Sequence, residues 1–336
     1  MTLKQLKYLI GIVDSGLNIT SAAERLYTSQ PGISKQLKQL EAELGMQLFT
    51  RKGKSLAAIT PAGHEVIDRA RKILREAENI TNLASDLTGE QEGRLSIATT
   101  HTQARYVLPD VIHEFNERYP KVDLELHQGT SEQIAELVNT HKVDFAIATG
   151  SQKLFSNLTL LPIYHWNRIT LVPNDHPLAR EKRPVDLEML SAYPLVTYVF
   201  SLTGESSFKR AFQDEGLEPR VVFTARDADI IKTYVRMGMG VGVIASMAYE
   251  CKDQEDLKAI DAKGLFPQVT TWLGFPKDMV LRSFMVDFIN LFAPHYSRRL
   301  ISDAANLETQ EKVDELLKDL RLPVRGGCDE DEVAAA

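Results

Sequence analysis

Between residues 66 and 87 the apolar side chains recur in alternating steps of four and three: Val66, Ala70, Ile73, Ala77, Ile80, Ala84 and Leu87. This is a heptad seam of three repeats, with aliphatic residues on one position and Ala on the other. Its flanks are polar (Glu65, Asp68, Arg69, Arg71, Lys72, Arg75, Glu76, Glu78), which leaves a narrow stripe and not the wide face a globular core would cover. A stripe of that width suits a second helix of the same kind, and the alanines let two such helices come close. Thr60 can cap the helix and Pro61 fits its first position, where a missing N–H costs nothing. The spacing predicts a dimer-forming linker helix over 61–88, with "TGEQEG", residues 88–93, as the hinge beyond it. Whatever else this chain is, it has one part before that helix and another after it.

The part before is basic. Residues 1–60 carry eight Lys/Arg and four Asp/Glu, net +4, while the chain as a whole is −7, so the other 276 residues are net −11. A basic end on an acidic body is the asymmetry of a nucleic-acid-binding module joined to something else. Leu3, Leu6, Leu9, Ile10 and Val13 share one helical face. Thr20 or Ser21 can cap a short second helix that buries Ala22, Ala23 and Leu26. After the tight connection "YTSQ", Ser29 can cap a third helix with Pro31 in its first turn, Ile33, Leu37, Leu40 and Leu44 as its buried stripe, and Gly45 as its stop. Its outward residues are Gln30, Ser34, Lys35, Lys38 and Gln39. Ser and Gln can hydrogen-bond base edges, Lys can neutralise phosphate, and the helix start offers free N–H groups. "LFTRKGKSLAAITPAG" reads as a two-stranded wing with Arg51, Lys52 and Lys54 at its turn. The expected DNA-binding residues are Ser29, Gln30, Pro31, Ser34, Lys35, Lys38 and Arg51. The plainer alternative is a solvated amphipathic helix.

The part after the hinge alternates strands and helices. "RLSIATT", "VDLELHQG" and "VDFAIAT" are strands, and "TQARYVLPDVIHEFNERYP" and "TSEQIAELVNTHK" are the helices between them, a βαβαβ run that implies a mostly parallel sheet. "RITLVPNDHP" carries the chain into a second lobe of the same kind, with "YPLVTY", "RVVFTA" and "GVGVIASM" as strands; "TTWLGF" and the helix "RSFMVDFINLFAPH" return. The fold class is therefore α/β with an all-α N-terminal part: a winged helix-turn-helix over 1–60, the linker helix over 61–88, and a two-lobed, periplasmic-binding-protein-like effector domain over 89–300. Residues 301–336 are expected to hold a C-terminal helix and an acidic, disordered tail ending "RLPVRGGCDEDEVAAA".

Two-lobed α/β domains bind small molecules between their lobes, beyond the carboxyl ends of the strands. The first strand ends there in Thr99, Thr100, His101, Thr102 and Gln103 and runs directly into a helix. Thr100, Thr102 and Gln103 can offer donors beside free backbone N–H groups, an anion site without a formal charge. Thr130 and Ser131 begin the next helix, Thr149 ends the third strand, and Thr203 with Gly204 begins a helix of the second lobe. The alternative for each hydroxyl is helix capping alone.

"SAAERLYTSQPGISKQLKQLEAELGMQLFTR" followed by "TPAG" resembles the winged helix-turn-helix of LysR-type transcriptional regulators, and the likeness extends to about residue 300. "SIATTHTQARYVLP", "VDFAIAT", "LPIYHWNR", "YPLVTY" and "VVFTARDADIIKTYVRMGMGVGVIASMA" are similar, more narrowly, to members of that family that control sulfur assimilation and cysteine biosynthesis. The resemblance implies operator DNA as partner, self-association through the linker helix into dimers and on to tetramers, and RNA polymerase as a further partner of an activator. It implies no enzyme activity, no cofactor and no metal. It implies a small anionic effector, an acetylserine-type inducer with sulfate-like anions competing, held by Thr100, Thr102, Gln103, Thr149 and Thr203. Trp166, in "YHWNR", is either a wall of that pocket or core. Two departures stand out: Leu202 and Glu205 replace an aromatic and a basic residue of the resembling group, and Glu205 lowers the positive potential there.

Other classes fit less well. No apolar run approaches the roughly 18 residues of a membrane span, and the start "MTLKQLKYLIGIVDSG" reads as an amphipathic helix and not a signal peptide. With only Cys251 and Cys328, no disulfide framework or zinc spacing is expected, and the cytoplasm is the expected compartment. A secreted solute-binding protein would leave residues 1–60 unexplained. An enzyme would need more than His101, His165 and Asp229, since no nucleophile or metal spacing accompanies them.

Overall fold

The computed structural model describes all residues except 54, 88–91, 150–151, 203–205 and 329–336, and the side chains of 85–87 and 153. The chain forms two compact units, Met1–Glu90 and Gln91–Ala336.

In the first unit, α1 (Leu3–Asp14) starts at a capping box in which Thr2 and Gln5 satisfy each other's backbone N–H. The short helix α2 (Ile19–Arg25) is capped by Asn18, which accepts from the N–H of Thr20 and Ser21, and not by either of those residues as the sequence suggested. Asn18 reaches both orphan donors at once, which a hydroxyl at position 20 or 21 is already too far inside the helix to do. Ser29 caps α3 (Gln30–Leu44) as expected, accepting from Gly32 at 3.3 Å, and a left-handed Gly45 ends it. The wing is β1 (Phe49–Lys52) paired antiparallel with β2 (Ser55–Ile59). The core joins Leu6, Leu9 and Ile12 of α1, Ala22 and Ala23 of α2, Ile33, Leu37 and Leu40 of α3, and Phe49 of the wing.

The helix α4 (Pro61–Leu87) runs for 27 residues. Thr60 caps it, accepting from Gly63 at 2.9 Å. Gly63 is required here, because a Cβ would stand 2.2 Å from the Leu48 carbonyl oxygen. The first turns of α4 belong to the core of this unit: Ile67 and Ala70 are buried in it, Val66 and Leu74 pack against it, and Arg71 pairs with Asp14 of α1 at 2.6 Å. Further along, Ile73 and Ile80 are 40% and 64% exposed, so that stretch of the seam is uncovered in a single chain. The Leu87 end of the seam and most of the hinge lie outside the described residues.

The second unit opens with β3 (Gly93–Thr99). The single helix expected after it is two, α5 (His101–Tyr106) and α6 (Leu108–Arg118), broken at Val107. Pro109 explains the break, because it cannot donate to the carbonyl four residues back and its ring would clash there. There follow β4 (Val122–Gln128), α7 (Ser131–Asn139), β5 (Phe145–Thr149) and β6 (Leu158–Trp166), all of the first lobe. Asn167 is the crossing. The second lobe holds β7 (Arg168–Pro173), α8 (Leu187–Ser191), β8 (Leu195–Tyr198), α9 (Ser207–Asp214), β9 (Val221–Ala225), α10 (Ala228–Arg236), β10 (Val241–Ala245) and β11 (Leu257–Asp261). The chain returns with β12 (Val269–Pro276), α11 (Ser283–Phe292), α12 (Arg298–Ala305), α13 (Gln310–Leu317) and β13 (Val324–Arg325).

The two sheets share one plan. In the first lobe the order is β13-β6-β12-β5-β3-β4, with β4, β3 and β5 parallel and β12 antiparallel to β5; in the second it is β11-β7-β10-β8-β9, with β9, β8 and β10 parallel and β7 antiparallel to β10. The C-terminal segment departs from expectation. The composition of residues 322–328 predicts part of a disordered tail, yet β13 pairs with the edge of β6, and the Arg325 carbonyl accepts from Ser246 at 3.2 Å. Gly327 lies so close to the backbone at Ser246 that a Cβ would stand 2.6 Å from its oxygen. Cys328 forms a disulfide with Cys251, a pairing across 77 positions that the cysteine count did not suggest. A two-residue strand has no periodicity of its own to read; the open edge of β6 supplies the reason it exists.

Candidate functional site

On α3 the inward residues are Ile33, Leu37 and Leu40, so the outward face is decided by helical geometry. Gln30, Pro31, Lys35, Lys38 and Gln39 are exposed on it, and Ser34 is half-buried. Ser29 is engaged as the cap. Arg51 differs from the reading as a phosphate contact. Its Nη2 lies 3.0 Å from Glu41 Oε2, and the other oxygen of that nearly buried carboxylate accepts from the backbone of Leu48 at 2.9 Å and Phe49 at 3.4 Å. Arg51 thus ties the wing to α3, because the buried acid needs a cation beside it.

The second site lies where the strands of both lobes end. Thr100 sits in extended backbone at the start of α5 and makes no side-chain cap bond, so capping does not account for its hydroxyl. The helix behind it is only six residues long, so the hydroxyls matter more here than a helix dipole. Thr102 is half-buried beside the Tyr198 hydroxyl of the second lobe, and Thr149 is half-buried at the end of β5. Thr130 and Ser131 are structural: Thr130 forms a capping box with Gln133, and Ser131 donates to the Thr149 carbonyl at 3.1 Å.

Gln103 is a correction. It is buried, its amide oxygen accepts from the Tyr164 hydroxyl, and its Nε2 donates to Thr271 at 3.4 Å. The amide braces α5 against β6 and β12, and its second N–H faces the Met247 sulfur at 4.0 Å, so both donors are engaged. Burial pushes the Tyr164 hydroxyl up to about 12, so it remains a donor at neutral pH. Trp166 is buried in the first lobe's core, with an indole N–H that meets no hydrogen-bond partner among the described residues. Thr203 and Glu205 lie outside the described residues.

Sequence reading missed Arg168 and Thr170. They alternate with Ile169 along β7, on the face where Val172 joins the core. The signal available was a cation in phase with an apolar face. A surface depression of about 530 Å³ elsewhere on the second lobe is lined by Lys232, Arg236, Asp253 and Asp256 among others. Those charges pair with one another, Lys232 with Asp253 at 2.7 Å and Arg236 with Asp256 at 2.6 Å, so it is an ion-pair network. His101, Asp227 and Asp229 come close enough to share an ion, yet Asp227 caps α10 and Asp229 accepts from Tyr106.

Comparison with known proteins decides the class. The profile "Bacterial regulatory helix-turn-helix protein, lysR family" matches residues 3–64, and "LysR substrate binding domain" matches residues 88–297. The chain is a LysR-family transcriptional regulator. The HTH-type transcriptional regulator CysB of Haemophilus influenzae is 46% identical over 325 residues, 97% of this chain and all of that one. SsuR of Burkholderia cenocepacia is 41% identical, covering 90% of this chain and 98% of its own. The cofactor-binding domain of the Cbl transcriptional regulator superposes with a TM-score of 0.60 at 38% identity, covering 64% of this chain and 95% of that one. Cbl of Escherichia coli is 38% identical over 94% of this chain, and these relatives are all named as transcriptional regulators. Among the described residues no helix is long and apolar enough to cross a membrane.

Proposed function

We propose that this LysR-family protein binds operator DNA upstream of sulfur-assimilation and cysteine genes in the cytoplasm, and that a small anion bound between its effector lobes sets its activity. The effector class is an acetylserine-type inducer with sulfate-like anions competing, met by Thr100, Thr102, Thr149 and Thr203. The observation that carries this reading is the Thr100 hydroxyl: it stands at the carboxyl end of β3, at the start of a helix, with no cap bond to make. On α3, Gln30 and Ser34 are assigned to base edges and Lys35 and Lys38 to phosphates. Chains pair through the exposed Ile73 and Ile80 of α4, dimers pair into tetramers, and RNA polymerase is the partner through which the regulator activates.

The likeness to SsuR supports a second reading in which the same architecture serves another regulon, such as sulfonate use, with a different effector. Calorimetric titration of the full chain with N-acetylserine, O-acetylserine and sulfate separates the two. Thr100→Val keeps the side chain's shape and removes one hydroxyl, and it should weaken the true anion by about 1.5–3 kcal/mol. Parent-like binding of every anion by this variant would place the effector site elsewhere.

A further inference from the structure

Arg168 is a cation of the cleft region with no acid beside it among the described residues. It opens β7 immediately after the crossing at Asn167 and is only 5% exposed. Its Nε and Nη1 are buried and meet no hydrogen-bond acceptor among the described residues. The contacts it does have are aromatic: its guanidinium carbon lies 5.7 Å from the Trp166 ring and 5.7 Å from the Phe266 ring. Rings at that distance attract a cation weakly and leave its N–H groups unsatisfied.

The register shows where this charge stands. Arg168 pairs with Ala245, the last residue of β10, so it lies at the carboxyl end of the parallel strands, the end at which ligands bind in such sheets. Thr170 pairs with Val243, and Val243 pairs with Thr197, which puts Thr170 and Thr197 on the same face as Arg168. Thr170 is fully buried with a hydroxyl that meets no partner among the described residues, while the Thr197 hydroxyl donates to the Val243 carbonyl at 2.9 Å and lies 3.2 Å from the buried Ser201 hydroxyl. A buried cation and a buried hydroxyl that both lack an acceptor, next to the bonded Thr197–Ser201 pair, are not what packing alone would select, since each orphaned donor costs stability. The first lobe reaches this end of the sheet as well: Thr102 lies beside the Tyr198 hydroxyl, which accepts from the Ala245 N–H at 3.2 Å, and Ala245 is the register partner of Arg168. Burial pulls the Arg168 pKa down to about 10, so it is still charged at neutral pH.

We propose that Arg168 is the charged anchor of the effector site: its guanidinium takes the carboxylate or sulfate-type group of a small oxyanion, beside Thr170, Thr197 and Ser201, while Thr100 and Thr102 meet the ligand from the first lobe. This rests on the reading that an anion binds between the lobes. It adds the formal positive charge that the hydroxyls by themselves lack, and it makes the site selective for charged over neutral ligands. A neutral ester or amide of the same shape would leave the arginine unpaired.

The test uses the full chain. The parent, Arg168→Gln, Arg168→Lys and Thr100→Val are titrated with sulfate, with N-acetylserine and with its uncharged methyl ester, and thermal unfolding is followed without ligand. Arg168→Gln should lose about 10- to 100-fold in affinity for the two anions. It should gain nothing or lose little for the ester, and its ligand-free unfolding temperature should hold or rise, because an uncompensated buried charge is gone. Arg168→Lys should fall between. If Arg168→Gln binds both anions as the parent does while Thr100→Val is weakened, Arg168 is a packing residue, and the interlobe site stands without it. If neither variant changes anion binding, or the parent binds neither anion, the interlobe reading itself fails and this inference with it. Should Arg168→Gln not fold, the Nε–H resonance of Arg168 in the parent provides the second readout: saturating sulfate should shift it and slow its exchange, and a resonance unmoved at saturation overturns the assignment.

Discussion

The Tyr106 hydroxyl of the first effector lobe donates to Asp229 of the second at 2.7 Å. Arg105, the residue before it, reaches Glu250 at 3.4 Å and Asp229 at 4.0 Å. The last turn of α5 therefore fastens onto α10 and the segment after β10, at the other end of the helix from Thr100. Tyr106→Phe removes one bond to a charged acceptor. Asp229 is 43% exposed and Arg105 remains, so the loss should be about 1 kcal/mol. We expect a several-fold weaker apparent affinity for the effector, because lobes less firmly held must be ordered on binding, with little change in operator affinity. Titration and amide exchange across α5 would show it; parent-like values in both would mean that this bond does not govern closure.

Mutations on the DNA face should differ in kind. Lys38→Ala should weaken specific and random DNA alike and reduce the salt slope by about one unit. Gln30→Ala should lower the specific-to-random ratio, by about 1–3 kcal/mol for a bidentate contact. Arg51→Ala should act first on folding, because it leaves the Glu41 carboxylate without its cation, and should lower the unfolding temperature of the N-terminal unit. Binding isotherms at several salt concentrations, set beside calorimetric scans, distinguish the three. An Arg51→Ala protein of parent stability with a reduced salt slope would return that residue to the phosphate contacts.

The uncovered part of α4 predicts an assembly. Ile80→Asp puts a carboxylate on a residue that is already 64% exposed in one chain, so the monomer should fold unharmed. In a seam, the same carboxylate meets its own copy and loses apolar burial at once. Sedimentation should show smaller particles, and tight binding to a two-half-site operator should go with them. An unchanged sedimentation coefficient contradicts the seam.

Acid should unlock the second lobe at Asp253. It is 1% exposed and faces Lys232, itself 2% exposed, at 2.7 Å, with Arg236 at 2.7 Å on its other oxygen. Burial acts to raise its pKa, but the hydrogen bonds from Lys232, the Glu250 backbone and Arg236 outweigh it and hold the carboxyl below its usual range. A folded value below the unfolded one means that the stabilisation is complete above about pH 4 and is lost as pH falls through the folded value. Asp253→Asn should cost up to roughly 3 kcal/mol near neutrality, since it removes the nearest acid from the buried Lys232 and leaves it the partly exposed Glu250 at 3.3 Å, and should flatten the acid limb of a stability-against-pH curve. An acid limb identical to the parent's would assign the transition to other carboxylates.

The linear order of residues was enough for whatever depends on near neighbours along the chain. The buried stripe of α3, its Ser29 cap, the wing, the linker helix from Pro61 and the βαβαβ run of the first lobe follow from periods of 3.6, 3.5 and 2 and from cap and turn chemistry, all of which act over a few residues. The motifs that mark the family are legible for the same reason. What the tertiary structure alone decided involves partners far apart in the chain. Arg51 looked like a free cation until the fold put Glu41 beside it, and Gln103 looked like a free amide until Tyr164 and Thr271 enclosed it. The short strand at Val324 exists because β6 presents an open edge, and Cys328 finds Cys251 because that strand delivers it there. Arg168 lies at the opposite extreme: in the sequence only its phase with an apolar face marks it, and it stands out once the packed structure supplies rings and hydroxyls around it but, among the described residues, no acid. Local pattern specifies which face of an element is buried. Which polar groups on that face are left wanting a partner depends on every element that packs against it, and that is a property of the folded chain.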